Sequence, residues 1–230
     1  MNVNDLSVDV IMLATPEAAG HAWLARRTWK NYCERHGHRL TIFKNRLIPD
    51  MHINWSKIEA MRLTLANSDR AYVLLVDADL VVLRPELPLS ELADRTRDIV
   101  FASDNLFRSF WPDLRHAALK WQLGMATLPN AGFMLARRND WAISLFEQWL
   151  ELARGDLLDW ADRHPRNQNV LWRGLLPMQR QRIAILGDEI VRITHPRQIP
   201  RVARRHPFAL HFRHETVTVN DVLPLVPKDR

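Results

Sequence analysis

The sequence predicts an α/β protein with a mostly parallel central sheet flanked by helices. Three observations favour this class. Several apolar stretches have the length of a strand, the strongest of them at Tyr72–Val76. Longer stretches between them repeat apolar side chains with helical spacing. The two kinds of stretch alternate from the N-terminus in the order strand, helix, strand, helix, strand, which is typical of parallel sheets.

Local patterns justify each element of the first half. Residues 8–14 form an apolar run that suits a strand buried on both faces. Residues 17–36 repeat apolar side chains with helical spacing, and Gly37 is expected to end that helix. Residues 39–44 alternate as a second strand, and Asn54 is the predicted N-cap of the next helix. The remaining predicted strands of this half are residues 72–76 and 98–103.

The second half has a strand, a helix and several short strands. Residues 132–136 are apolar and predict a strand, and a helix is expected to begin at about residue 141. We interpret the apolar face of this helix as core rather than as a ligand-binding surface. That face carries Trp141, Leu145, Trp149 and Leu152. The short strands are predicted at residues 183–186, 208–212 and 216–219.

Composition excludes several classes of protein. The chain has 230 residues, of which 47% are hydrophobic and 25% charged, so it is not collagen-like, low-complexity or disordered. A single cysteine, Cys33, excludes an intramolecular disulfide framework and a cysteine-rich zinc site. Its helical surroundings predict a buried thiol. The N-terminus lacks the basic segment of a signal peptide, so we expect a soluble cytoplasmic protein of one domain.

Positive charge is concentrated in the C-terminal third. The chain has a net charge of +6, and residues 178–214 carry eight arginines against Asp188 and Glu189, so the rest of the chain is neutral. Because arginine binds phosphate through two nitrogens at once, this segment predicts an anionic partner: phosphate, nucleic acid or an acidic membrane surface. The eight residues are Arg180, Arg182, Arg192, Arg197, Arg201, Arg204, Arg205 and Arg213.

Two carboxylates follow the strongest strand. Asp77 and Asp79 come directly after Tyr72–Val76, and α/β sheets bind ligands beyond the carboxyl ends of their strands. Two carboxylates this close repel each other unless a cation or protons separate them. A divalent cation held between them would neutralise a diphosphate. The alternative is that this Asp-x-Asp pattern is only a polar exit from the strand into a turn.

With these residues the chain resembles the GT-A family of nucleotide-sugar glycosyltransferases, above all its glycogenin-like and galactosyl- or mannosyltransferase branches. Trp55-Ser56-Lys57, followed by the strand and its Asp-x-Asp pattern, is similar to the tryptophan–lysine helix and metal-binding strand of that family. Four further segments match in the family's order within residues 8–214. They are residues 101–104 (FASD), 130–135 (NAGFML), 167–171 (NQNVL) and 211–212 (HF).

The resemblance implies a GT-A, Rossmann-like fold that covers residues 1–230 as one domain. It implies a nucleotide-binding half at about residues 1–105. A second half, at about residues 106–214, would complete the metal site and hold the acceptor, and residues 215–230 would form a short tail.

The resemblance also implies roles for individual residues. Asp104 and Asn130 would orient the donor sugar, and Gln168 would lie at the reacting centre; these are the candidate catalytic residues. The ligands of a divalent cation, Mn²⁺ or Mg²⁺, would be Asp77, Asp79 and His211, although a purely structural role is the alternative for the histidine. The donor-binding residues would be Ala14, Thr15, Lys57, Asp77, Gly132, Arg204 and Arg213.

The implied reaction is the transfer of a hexose from a nucleoside-diphosphate sugar to an acceptor hydroxyl in glycan synthesis. UDP is the favoured carrier, and the acceptor would be a glycan, a lipid-linked glycan or another anionic molecule. The closest branches favour retention of configuration, although Asn167 stands where the family usually has an acid. The Arg-rich segment would also allow peripheral contact with the inner face of a membrane.

Two other functions remain open from the sequence. A haloacid-dehalogenase-like phosphatase also places Asp-x-Asp after an apolar strand, and a non-catalytic protein could bind nucleic acid or another polyanion through the Arg-rich segment. Trp111 and Trp121 bracket a segment between two predicted strands. Burial is the preferred interpretation of both, and stacking on a sugar is the alternative.

Overall fold

Two β-sheets organise the protein, whose computed structural model describes residues 6–94, 96–105 and 116–227. The central sheet has six strands in the order β2-β1-β3-β6-β5-β7, and a smaller sheet has three in the order β4-β9-β8. In chain order the strands are β1 (Val8–Leu13), β2 (Arg39–Phe43), β3 (Tyr72–Val76), β4 (Leu80–Val82), β5 (Ile99–Ser103), β6 (Pro129–Arg137), β7 (Ile183–Ile185), β8 (Ile190–Ile193) and β9 (Ala209–Phe212).

The central sheet is mostly parallel, as predicted, with one strand reversed. Strand β1 pairs in parallel with β2 and β3, and β5 pairs in parallel with β7. Strand β6 runs antiparallel to both of its neighbours, β3 and β5. Because β6 is reversed, its first residues, among them Asn130 and Gly132, lie at the same edge as the carboxyl ends of β3 and β5.

The smaller sheet joins segments that are far apart in the chain. Strand β4 pairs antiparallel with β9, which places Leu80 opposite His211. Strand β8 pairs in parallel with β9, which places Arg192 beside His211. The sheet therefore brings residues near the C-terminus to the segment that directly follows β3.

Helices cover both faces of the central sheet. They are α1 (Ala19–His36), α2 (Trp55–Asn67), α3 (Ala117–Leu123), α4 (Asp140–Arg154), α5 (Leu158–Asp162), α6 (Asn167–Val170), α7 (Leu176–Gln179), α8 (Ile199–Arg205) and α9 (Val219–Val222). Gly37, with a φ of 68°, ends α1 in the left-handed conformation that favours glycine. A π-helical segment, Leu171–Leu175, connects α6 to α7.

Two hydrophobic clusters fill the spaces on either side of the sheet. One packs α1 and the smaller sheet against the central sheet, and its largest side chains include Trp29, Tyr32 and Phe208. The other packs α2 and α4 on the opposite face, around Trp55 and Trp149. The apolar face of α4 is core, as predicted: Leu145 and Trp149 are buried, and Trp141 and Leu152 pack against the same cluster.

Several predictions of single elements need correction. Residues 216–219 are not a strand, because the Thr218 side chain accepts a hydrogen bond from the Asp221 N–H and starts α9. The sequence patterns did not predict the short strands β4 and β8. Asn54 is at the N-cap of α2, but its side chain makes no capping hydrogen bond. The Cys33 thiol is buried, as predicted.

The interpretation of Trp121 as buried is wrong. Its side chain is 83% exposed, whereas Leu119, two residues earlier on α3, is buried. Two residues span about 200° of a helix, so a helix that packs through Leu119 turns Trp121 to the solvent. The other tryptophan of that prediction, Trp111, lies outside the described residues.

Candidate functional site

Two aspartates and a histidine converge at the carboxyl edge of the central sheet. Asp77 directly follows β3, Asp79 directly precedes β4, and His211 lies on β9. The pairing of β4 with β9 brings the histidine to the aspartates. One potential ligand atom from each of the three side chains lies within 4.8 Å of the other two.

The distances within this cluster suit one shared cation. The Nε2 atom of His211 is 3.1 Å from Oδ1 of Asp79 and 3.7 Å from Oδ2 of Asp77. Ligand atoms at neighbouring corners of an octahedral ion with bonds of about 2.1 Å lie about 3 Å apart. The three side chains are thus close enough to share a single divalent ion.

The other oxygen of each carboxylate is held by a basic side chain. Lys57, in the first turn of α2, donates to Oδ1 of Asp77 over 2.6 Å. Nδ1 of His214 is 3.2 Å from Oδ2 of Asp79. These contacts orient each carboxylate so that its remaining oxygen faces His211, as the outer partners of metal ligands do.

Electrostatics keep Asp79 ionised. Burial alone would raise the pKa of this carboxyl, but the imidazoles of His211 and His214 outweigh burial and hold the pKa well below its usual range. The hydrogen bond to Asp79 raises the pKa of His214. The His214 ring stacks on His21 with 3.9 Å between centroids, and burial together with repulsion from His214 lowers the pKa of His21.

Gly132 leaves the space in which these groups meet. A Cβ atom at this position would lie 2.5 Å from Cε1 of His211 and 2.9 Å from Oδ2 of Asp77. Contacts that short do not occur, so any side chain would push into the aspartate–histidine cluster. The main chain adds a direct link, because the Asp77 N–H donates to the Gly132 carbonyl over 2.9 Å. Glycine is therefore required here for close approach rather than for its backbone conformation.

A hydrogen-bonded chain of polar side chains extends from Gly132 across the sheet edge. The Asn130 side chain accepts from the Gly132 N–H over 2.8 Å and donates to Asp104 over 2.9 Å. The Gln168 side chain, at the start of α6, accepts from the Ala131 N–H over 3.0 Å. Predicted residues from three distant segments, Asp104, Asn130 and Gln168, are thus connected and largely buried beside the carboxylate cluster.

Two predicted donor residues lie along the same edge. Ala14 and Thr15 follow β1, which pairs in parallel with β3, with Met12 opposite Val76. The two residues therefore lie at the same sheet edge as Asp77, which follows β3. The two arginines are placed differently. Arg204 donates to the carbonyl of Pro200 on its own helix, and Arg213 donates to the carboxylate of Glu215, so these bonds do not involve Asp77 or Asp79.

Sequence reasoning missed Arg192 and His214. Arg192 donates to Oδ1 of Asp104 over 2.8 Å, with only 20% and 6% of the two side chains exposed. The sequence feature that could have indicated Arg192 is its position as the one charged residue in the apolar strand β8 (IVRI). His214 is three residues beyond the predicted ligand His211 in the His-Phe-Arg-His segment, but neither spacing nor strand pattern distinguished it.

The chain belongs to the nucleotide-diphospho-sugar transferase family, whose sequence profile matches residues 9–218. A curated relative, Glycosyltransferase 6 of Arabidopsis thaliana, is 26% identical over 132 residues, which are 55% of this chain and 27% of that protein. The matched segment thus spans about a quarter of the relative.

Solved structures share the fold at low sequence identity. A glycosyltransferase involved in glycosylation of the major capsid of PBCV-1 superposes with a TM-score of 0.69 and 11% identity, over 95% of this chain and 98% of that one. The galactosyltransferase LgtC, solved with donor and acceptor sugar analogs, superposes with a TM-score of 0.53 and 15% identity, over 89% of this chain and 86% of LgtC. These similarities confirm the predicted GT-A fold.

No helix within residues 6–94, 96–105 and 116–227 combines the length and the apolar character needed to cross a bilayer.

Proposed function

We propose that this protein is a metal-dependent glycosyltransferase that moves a hexose from a nucleoside-diphosphate sugar, UDP-linked in our preferred assignment, to an acceptor hydroxyl. The observation that carries the proposal is the convergence of Asp77, Asp79 and His211 at the strand edge. Family membership supports this class over the phosphatase and over a purely polyanion-binding protein. Both proposed halves contribute strands to both sheets, which supports one domain.

The donor set fits a divalent cation such as Mn²⁺ or Mg²⁺. Two carboxylate oxygens and one imidazole nitrogen suit Mn²⁺ well, and Mg²⁺ accepts the carboxylates. When bound, the ion would stabilise negative charge on the diphosphate leaving group. Asp77, Asp79 and His211 would hold it, while Lys57 and His214 would keep both carboxylates oriented.

The remaining site residues would bind and orient the donor. Asp104 would accept hydrogen bonds from sugar hydroxyls, and Asn130 would donate to them. Gln168 would lie near the anomeric carbon. Ala14 and Thr15 would contact the nucleotide at the end of β1. Lys57 would add positive charge toward the diphosphate. We retain Arg204 and Arg213 as candidates only for contacts that form when a donor is bound, since in this structure they bond to Pro200 and Glu215.

Retention of configuration is the proposed stereochemical outcome. Inversion would need a carboxylate base beside the acceptor hydroxyl. At the start of α6 the chain has Asn167, and this amide is buried and bonded to the Asn54 carbonyl and the Gln168 N–H. The anomeric configuration of an isolated product, read by NMR, tests this assignment directly.

The central experiment is a screen of nucleotide-sugars with and without Mn²⁺. Release of the nucleoside diphosphate should depend on the metal and should be strongest for one UDP-sugar. Asp79→Asn should abolish metal-dependent binding of UDP, because the substitution removes the anionic ligand between His211 and His214.

A matched control separates this effect from general loss of charge. Asp188→Asn removes an exposed carboxylate that pairs with Arg205, the last residue of α8. This substitution should leave UDP binding unchanged. Metal-dependent UDP affinity that survives in Asp79→Asn would overturn the assignment of the cation site.

A further inference from the structure

One basic residue directly precedes a segment of the proposed donor site. Arg166 is the residue before α6 (Asn167–Val170) and lies two positions before Gln168 in the chain. The main chain here is tightly connected: the Arg166 N–H donates to the Arg163 carbonyl over 2.6 Å. Since Gln168 bonds to the Ala131 N–H, Arg166 is held close to the polar chain of Asn130 and Asp104.

Arg166 occupies a backbone conformation that costs energy. Its φ is 48° and its ψ is −102°, a region in which residues with a Cβ atom are rare and which glycine adopts more easily. Strain of this kind persists where the surrounding structure enforces it, and it clusters at active sites and ligand clamps. The side chain is partly buried, and among residues 6–94, 96–105 and 116–227 its guanidinium has no hydrogen-bond or ion-pair partner. A partly buried guanidinium with no partner is suited to an external anion.

The positive charge of Arg166 acts on two neighbouring histidines, His164 and His52. Burial, and then the charges of Arg166, Arg192 and Arg213, lower the pKa of His164, and only Asp104 acts in the opposite direction. Burial, and then Arg166, Arg46 and Lys57, lower the pKa of His52, against Asp162. Asp104 is already paired with Arg192, and Arg213 with Glu215.

The location of Arg166 favours the acceptor over the donor as the source of this anion. The diphosphate of a donor would lie at the cation site formed at the end of β3, next to β1. Arg166 is joined through Gln168 to β6 and through Asn130 to Asp104 at the end of β5, farther along the sheet edge. In the proposed function, Asp104 and Gln168 would contact the sugar, so the loop of Arg166 would border the acceptor hydroxyl.

We propose that Arg166 binds a phosphate group carried by the acceptor, so that this enzyme glycosylates a phosphorylated molecule. The inference rests on the proposed function, because the acceptor position is defined relative to a bound donor. Arg192 and Arg213 would strengthen the attraction without contacting Asp79 or His211 themselves. No covalent step is added: the acceptor hydroxyl still displaces the nucleoside diphosphate.

Calorimetric titration tests the proposal with glucose 6-phosphate as the probe and glucose as its neutral counterpart. Protein saturated with UDP and Mg²⁺, so that the diphosphate position is filled, should bind glucose 6-phosphate roughly tenfold or more tightly than glucose, as expected for added charge-assisted hydrogen bonds. Arg166→Gln should abolish this preference and leave the affinity for UDP within about twofold.

Two more variants keep the test independent of folding and of general charge. Arg166→Gly removes the guanidinium and relieves the backbone strain, so its Tm should equal or exceed that of the wild type while the preference for the phosphate is lost. Arg163→Gln removes a charge from the same loop. The Arg163 guanidinium lies over the Trp160 ring at 5.3 Å, so binding of glucose 6-phosphate should be unchanged.

Each remaining outcome contradicts the proposal. Weaker UDP binding in Arg166→Gln, by about tenfold or more, would assign the residue to the donor diphosphate. An equal loss in Arg163→Gln would indicate nonspecific attraction. Absence of a preference for glucose 6-phosphate in the wild type would also overturn it. Failure of the proposed function looks different: wild-type protein would not bind UDP with Mg²⁺ or Mn²⁺, whereas glucose 6-phosphate could still be titrated into the unliganded protein.

Discussion

At the scale of single residues, the site depends on how closely charged groups are placed. Asp79 is ionised in spite of its burial because His211 and His214 contact its two oxygens. Asp77 has the same arrangement, with Lys57 on one oxygen and His211 near the other. Each carboxylate therefore presents one oxygen to a common point, and that point remains open because residue 132 has no side chain.

Gly132→Ala tests this geometry. The new Cβ would meet His211 and Asp77 at distances that neither can tolerate, so the ligands must move apart. A displacement of about 1 Å at a reacting centre can reduce activity roughly 100-fold, and we expect a loss of this order in UDP release. Gly20→Ala is the matched control, since a Cβ there has no neighbour within 4 Å and should not reduce activity. Equal activity in both variants would contradict the close packing at Gly132.

At the scale of elements, the helices that flank the central sheet are held in place by different contacts. Helix α4 packs with α2 in one hydrophobic cluster. The side chain of its N-cap residue, Asn139, accepts from the Ala142 N–H over 2.8 Å and donates to Asp98 over 2.7 Å. Helix α1 is anchored differently, by buried residues along one face that include Trp29 and Cys33.

Asn139→Ala should destabilise the protein through the start of α4. Loss of an N-cap hydrogen bond costs about 1 kcal/mol, up to about 2, and here the bond to Asp98 is lost as well. Asn54→Ala offers a comparison, because Asn54 occupies the N-cap of α2 without a capping hydrogen bond and should cost much less. Urea unfolding of both variants measures the difference, and equal destabilisation would contradict this account.

The buried thiol on α1 predicts a dependence of stability on alkaline pH. Burial raises the pKa of Cys33 from 9.0 to about 12 in the folded protein. The unfolded chain therefore releases this proton at lower pH than the folded one. Ionisation of Cys33 leaves the free energy of unfolding unchanged below about pH 9 and decreases it as the pH rises toward 12. Between pH 7.5 and 10.5 the wild type should lose roughly 2 kcal/mol more than Cys33→Ala. If the free energies of unfolding of the wild type and of Cys33→Ala changed equally with pH, that result would contradict the raised pKa.

At the scale of the whole molecule, the cation site links the two sheets. Asp77 follows a strand of the central sheet, whereas His211 belongs to the smaller one. An ion bound by both would connect segments more than 130 residues apart in the chain, and would bind the folded state alone.

Metal binding should therefore raise the Tm of the whole protein. At a free Mn²⁺ concentration of 100 times Kd the gain is about 2.7 kcal/mol, which corresponds to roughly 5–10 °C for a protein of this size. A chelator should reverse the shift, and Asp79→Asn should show none. A similar shift in that variant would indicate that the stabilising ion binds elsewhere.

Local patterns in the sequence determined the α/β class, the order of its main strands and helices, and the position of Asp77 and Asp79 beyond a buried strand. These features depend on neighbouring residues, whose spacing matches the period of a helix or a strand. Only the tertiary structure decided that β6 runs antiparallel, that β4 pairs with β9, and that Arg192 and His214 support the carboxylates. Such contacts join residues far apart in the chain, and periodicity within one segment holds no information about which strand will become its neighbour.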